Sequence, residues 1–164
     1  MVLIPLLTAG SPFAILQNPK TPTQEDGGKG DYVALTKEHA EKIDAYFKKR
    51  NMPLSGYGAK MVAEAEGNNL DWRLLPAIAV KESTGGRFAC GHNPFGWGSC
   101  KIKFKVWNEA IETVAKNLGG NNPITEEYYK GKTTRQKLHN YNGSVVPTYT
   151  SEILEFMELI EKEA

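Results

Sequence analysis

Apolar positions recur at helical spacing through most of the chain. Ala40, Ile43, Tyr46 and Phe47 lie three or four residues apart, which predicts a helix from a Thr36 cap to about Asn51. Ser55 opens a second helix through Glu66, with Met61, Val62 and Ala65 inward and "GNN" ending it. Asp71 can cap a third through about Ser83, in which Pro76 is tolerated if the helix proper starts at Leu74 or Leu75 and kinks it otherwise. Ile111, Val114, Ala115 and Leu118 mark a helix over about 108–118, stopped by "GGNNP". Thr125 and Thr134 can each cap a short helix, and Ile153, Phe156, Met157 and Ile160 mark a last one over about 151–162.

One stretch departs from that period. In "KIKFKV", residues 101–106, Ile102, Phe104 and Val106 alternate with lysines, as a strand does. Together with the glycines, proline and cysteines just before it, this predicts a small β-hairpin lobe. The expected fold class is therefore mainly α, an α+β helical bundle around a central helix.

Composition narrows the class. A chain of 164 residues with 40% hydrophobic and 24% charged residues fits one globular domain. A formal charge of +1 gives no basic stripe of the kind that binds nucleic acid. Residues 18–31, "NPKTPTQEDGGKGD", have linker composition, so 1–31 is read as an apolar remnant plus flexible linker and 32–164 as the domain. "MVLIPLLTAGSPFAIL" is broken by Pro5, Gly10 and Pro12 and has no preceding Lys or Arg, so it is not a proper signal peptide. It fits the trimmed end of a signal or anchor, a membrane tether before residue 18.

Cys90 and Cys100 stand ten residues apart with glycines between. With His92 they make only three ligands at unsuitable spacing, so no metal is expected. The favoured reading is a disulfide closing a short loop, which stabilises by about 3 kcal/mol and implies an extracytoplasmic setting. Two independent thiols are the alternative.

The apolar third helix, "LLPAIAVKES", ends in a carboxylate. Leu75, Ile78 and Ala79 share the face from which Glu82 projects. Apolar surroundings raise a carboxyl pKa, as a general acid requires; the alternatives are a solvated helix-end Glu, or one paired with Lys81 or Arg87. Downstream, "NPFGWG" at 93–98 offers Phe95 and Trp97 as flat faces for sugar rings or as core, and Gly96 and Gly98 as points of close backbone approach. Asn93 could bind a ligand or only turn the chain before Pro94. Trp72 and Trp107 are assigned to packing, and His39 and His139 to surface or satisfied positions.

"AIAVKESTGG", then "NPFGWG", then "YNG" at 141–143 resembles, in order and spacing, the lysozyme-like superfamily of peptidoglycan glycosidases. The lytic transglycosylases and autolysin-type endo-β-N-acetylglucosaminidases look most similar, over about residues 36–160. Pro94 stands where the family's Phe-Gly motif carries Leu. The resemblance implies a lysozyme-like fold with Glu82 as catalytic acid. It implies Ser83, Asn93, Phe95, Trp97, Tyr141 and Asn142 along the glycan groove, with Tyr141 hydrogen-bonding near the acid. No cofactor is implied. The expected partner is peptidoglycan, with no nucleic acid or metal, and the protein is expected to be a monomer.

Glycosidases commonly use two carboxylates. Here no Asp or Glu lies between Glu82 and Glu109, and Glu109 and Glu112 look like solvated first-turn charges. That points to a single-acid mechanism, for which the resemblance permits the lytic transglycosylase outcome. A hydrolytic muramidase or glucosaminidase and a non-catalytic glycan-binding module are the alternatives.

Overall fold

A computed structural model describes the backbone of residues 27–164 and the side chains from Tyr32 onward; the remnant and most of the expected linker lie outside the described residues. The chain forms α1 (Gly27–Lys49), α2 (Gly58–Gly67), α3 (Leu74–Ser83), α4 (Trp107–Leu118), α5 (Glu126–Tyr129) and α6 (Thr134–Leu138). A π-helical turn (His139–Gly143) and α7 (Tyr149–Glu161) complete it. The mainly helical class is observed.

α3 is the axis. Leu74, Leu75, Ala77, Ile78 and Ala79 are fully buried, so this helix is apolar on every side rather than on one stripe. α7, α2 and α4 pack on it, and α1 packs across α2 and α7. Ile43, Phe47, Met61, Ile111, Leu118 and Ile153 close the core around it.

Three of the helix starts that differ from expectation have a local reason. α1 is already helical at Gly27, the first described residue and inside the expected linker, and Thr36 is no cap: its hydroxyl donates back to the Tyr32 carbonyl (3.0 Å) within the helix. α2 begins at Gly58 rather than Ser55. Asp44 of α1 reaches over instead, accepting from the Gly56 and Gly58 amides at 2.7 and 2.9 Å. α6 is capped by Thr133, not Thr134, in a reciprocal pair with Gln136.

The β-hairpin lobe is not formed; no strand occurs among the described residues. Residues 87–106 run as successive turns. Gly91, Gly96, Gly98, Ser99 and Cys100 all take positive φ, which breaks any extended run. Asn93, almost fully buried, does the work of a ladder: its amide donates to the Trp97 and Ile102 carbonyls (2.8 and 3.2 Å), and its Oδ1 accepts from the Trp97 amide (3.1 Å). The Cys90–Cys100 disulfide, Cα–Cα 5.8 Å, closes the same segment.

Packing accounts for the remaining aromatic pairs. His39 stacks on Trp72 at 4.1 Å and 8°, yet its buried Nδ1 finds no partner, so it is neither free surface nor fully satisfied. Trp107 meets His92 edge-on.

Candidate functional site

α3 ends where its sequence turns small. Thr84 takes the left-handed conformation, and Gly85 follows it with φ +61°, its Cα so close to Met52 that a Cβ would lie 2.6 Å from the sulfur. This abrupt stop leaves Glu82 on the last turn, partly buried, facing a cavity of about 480 Å3. Phe95, Gly96, Trp97, Gly98, Ser99, Tyr141 and Asn142 complete its lining. That volume falls within the roughly 300–1,000 Å3 of small-ligand sites.

The two carboxylate oxygens have different surroundings. Oε1 accepts a 2.7 Å hydrogen bond from the Tyr149 hydroxyl. Oε2 lies against Gly96, where an added Cβ would stand 3.0 Å from it. Gly96 also has φ +62°, a conformation that favours glycine, and a Cβ there would press on Oε2. Burial raises the Glu82 pKa above the ordinary carboxyl value; the Tyr149 hydrogen bond and the nearby Lys81 charge pull it back only in part. Lys81 itself is paired with Glu152 of α7.

Four aromatic rings support this acid. Tyr149 stacks on Tyr141 (6.0 Å, 10°), and Trp97 leans on Tyr141 and Tyr129 at 5.6 and 6.4 Å. Burial raises the Tyr141 and Tyr149 hydroxyls far above their ordinary values, and the Glu82 charge adds to it, so both stay protonated donors. Burial alone lifts Tyr129 to about 12.

Comparison of the chain with protein-family models, with curated proteins and with solved structures finds no match.

The expected site residues therefore divide on geometry alone. Glu82, Phe95, Trp97, Tyr141 and Asn142 meet at one cavity. Phe95 is fully buried, so it serves as wall rather than as a free face; Trp97 is half-buried against Tyr141 and Tyr129. The Asn142 side-chain amide makes no hydrogen bond among the described residues, leaving it open to a ligand.

Two expected binding residues lie outside the cavity. Ser83 is a bracket: its hydroxyl sits 2.7 Å from the Pro94 carbonyl and 3.1 Å from that of Ala79, and it accepts from the Gly86 amide at 2.9 Å. Asn93 spends every polar atom on its own turn. Tyr141 is present but bonds the Phe95 carbonyl (2.6 Å) rather than the acid.

The residue that does bond the acid, Tyr149, escaped the sequence reading, which began the last helix at Ser151. The available signal was its spacing four before Ile153 and eight before Met157, an aromatic hydroxyl on a core stripe. Tyr129 and Ser99 were also missed as part of the site.

Glu82 is the one carboxylate lining this cavity among the described residues. Glu109 accepts from the Lys105 amide (2.7 Å), Glu112 pairs with Lys60, and Glu126 pairs with Lys130. Also among the described residues, no group of three or more His, Cys, Asp or Glu could hold a metal ion, and no helix is long and apolar enough to cross a membrane.

Proposed function

We propose that this chain cleaves peptidoglycan at the β-1,4 bond between N-acetylmuramic acid and N-acetylglucosamine, as a single-Glu lytic transglycosylase on a lysozyme-like scaffold. The observation that carries the reading is Glu82: a carboxyl of raised pKa on a cavity wall that has no second carboxylate among the described residues. The resemblance of "AIAVKESTGG", "NPFGWG" and "YNG" supplies the substrate class.

In this reading Glu82 gives its proton to the glycosidic oxygen as the C1–O bond breaks. The sugar's own acetamido oxygen stabilises the cation at C1. The Glu82 carboxylate then takes the proton of the 6-hydroxyl while O6 bonds C1, closing a 1,6-anhydro ring and restoring the acid. Tyr149 holds Oε1, which leaves Oε2, on the Gly96 side, to carry the proton. Trp97 offers a flat face for a sugar ring, and Asn142 a free amide. An extracytoplasmic location fits the disulfide, which persists in oxidising compartments.

Mass spectrometry of the soluble products from purified peptidoglycan tests this. Anhydro-muropeptides that vanish with Glu82→Gln are the expected result. Reducing-end products would make the enzyme a hydrolase instead. Glycan binding without any turnover would make it a binding module.

A further inference from the structure

The net charge of +1 conceals a segregation. Segments 83–108 and 128–151, which carry the two walls of the cavity and the chain on either side of them, hold eight of the chain's 20 Lys and Arg and none of its 19 Asp and Glu. The rest of the chain has twelve Lys and Arg against those 19 acids. Cations therefore gather on the stretches that flank the candidate site.

Three of the eight are already occupied. Arg87 donates to the Arg50 and Asn51 carbonyls, Lys130 pairs with Glu126, and buried Lys137 donates to the Leu118 carbonyl. Lys101, Lys103, Lys105, Lys132 and Arg135 are exposed, and their side chains make no ion pair or hydrogen bond among the described residues.

Two of these five converge. Lys132, Arg135, Gln136, His139 and Asn140 line a second cavity of about 330 Å3. The same π-helical turn that sends Tyr141 and Asn142 to the acid's cavity presents His139 and Asn140 here. Gln136 spends its Oε1 on the Thr133 cap, which leaves its side-chain NH2 unused. An Arg fork, a Lys ammonium and a free amide NH2 are donors only, the set that suits a carboxylate.

We propose that this second cavity is a carboxylate-binding subsite, which takes a free carboxyl group on the peptide side chains of the glycan while the strand lies in the Glu82 cavity. This rests on the glycosidase reading for its substrate. The two cavities share one turn of chain, so a strand held at one presents its attached peptide near the other. The subsite makes the enzyme select strands whose peptides keep free acids over stripped or amidated strands.

The test compares wild type with Lys132→Gln/Arg135→Gln on peptide-bearing and peptide-stripped glycan. The expected result is a fall of about tenfold in the kcat/KM ratio between the two substrates, carried by KM, as suits the loss of charge-assisted contacts. An unchanged ratio overturns the proposal. Binding is read separately by NMR titration of Glu82→Gln, which needs no turnover. An acidic tripeptide with two free carboxylates should shift the Lys132, Arg135 and His139 resonances, and its diamide should not. Equal shifts from both peptides, or shifts from inorganic phosphate alone, overturn the carboxylate assignment. If the tripeptide binds here but wild type cleaves no glycan, the subsite stands and the glycosidase reading falls.

Discussion

The two walls of the Glu82 cavity are built on opposite principles. One, residues 93–99, has no regular structure and is held by point fastenings: a disulfide, the three hydrogen bonds of Asn93 and the Ser83 bracket. The other, residues 139–143, is a wide helical turn held by ring packing of Tyr141 on Tyr149 and Trp97. A fastened wall fails at single atoms, because a buried polar group that loses its partner costs its full desolvation. A packed wall spreads its energy over many small contacts. The walls meet at Glu82, so damage to either should be readable there.

The largest effect is expected where they meet. Glu82→Gln should cut turnover by about a thousandfold, the usual scale of general acid catalysis. It should not destabilise the fold at neutral pH. The raised Glu82 pKa means that its stabilising contribution is present below the unfolded-state pKa and lost as pH rises through the folded-state value. Denaturant titration at pH 7 checks this, and a large loss of stability in the Gln variant would contradict the desolvation account.

The fastened wall comes next. Cys90→Ser/Cys100→Ser opens a loop of sequence separation ten and should cost about 3 kcal/mol in urea unfolding. Asn93→Ala should cost about 2 kcal/mol, because it strands the Trp97 and Ile102 carbonyls. Both should lower activity through a displaced Trp97. If either variant unfolds like wild type, the wall is not pinned where described.

Gly96→Ala sharpens the comparison at one atom. Strain at positive φ should cost about 1 kcal/mol, while the new methyl group crowds Oε2. Activity should therefore fall further than the stability loss implies. Tyr149→Phe probes the packed wall with the smallest change. Losing the hydroxyl removes an influence that lowers the Glu82 pKa, so that pKa rises further. The alkaline limb of the rate profile, where the acid loses its proton, should move to higher pH, with stability changed by about 1 kcal/mol. A limb that moves to lower pH would mean that another group governs the acid.

The same contrast explains what could be read from the chain alone. Packed elements announce themselves by periodicity. The helices at 107–118 and 149–161 were legible, though not their first residues, from Ile111, Val114 and Leu118 and from Ile153, Met157 and Ile160. The carboxylate was legible because the helix carrying it is apolar on every side. Fastened elements leave no period. "KIKFKV" alternates like a strand, yet Asn93 takes the Ile102 carbonyl that a partner strand would have used. Ser83 and Asn93 looked like ligand groups because a motif shows residue types and not where their bonds go. Tyr149 lay hidden for the converse reason, a polar atom carried on a core stripe. Thr36 and Ser55 were plausible caps until tertiary structure supplied a longer helix and Asp44.

The Ser83 bracket sets which part of the site can breathe. Because one hydroxyl bridges the end of α3 to Pro94 and Gly86, the acid and the 93–97 turn travel as a single rigid jaw. The opposite jaw, residues 139–143, has no such bracket to the end of α3 among the described residues. Across the gap from that jaw runs the detachable latch between the Tyr141 hydroxyl and the Phe95 carbonyl.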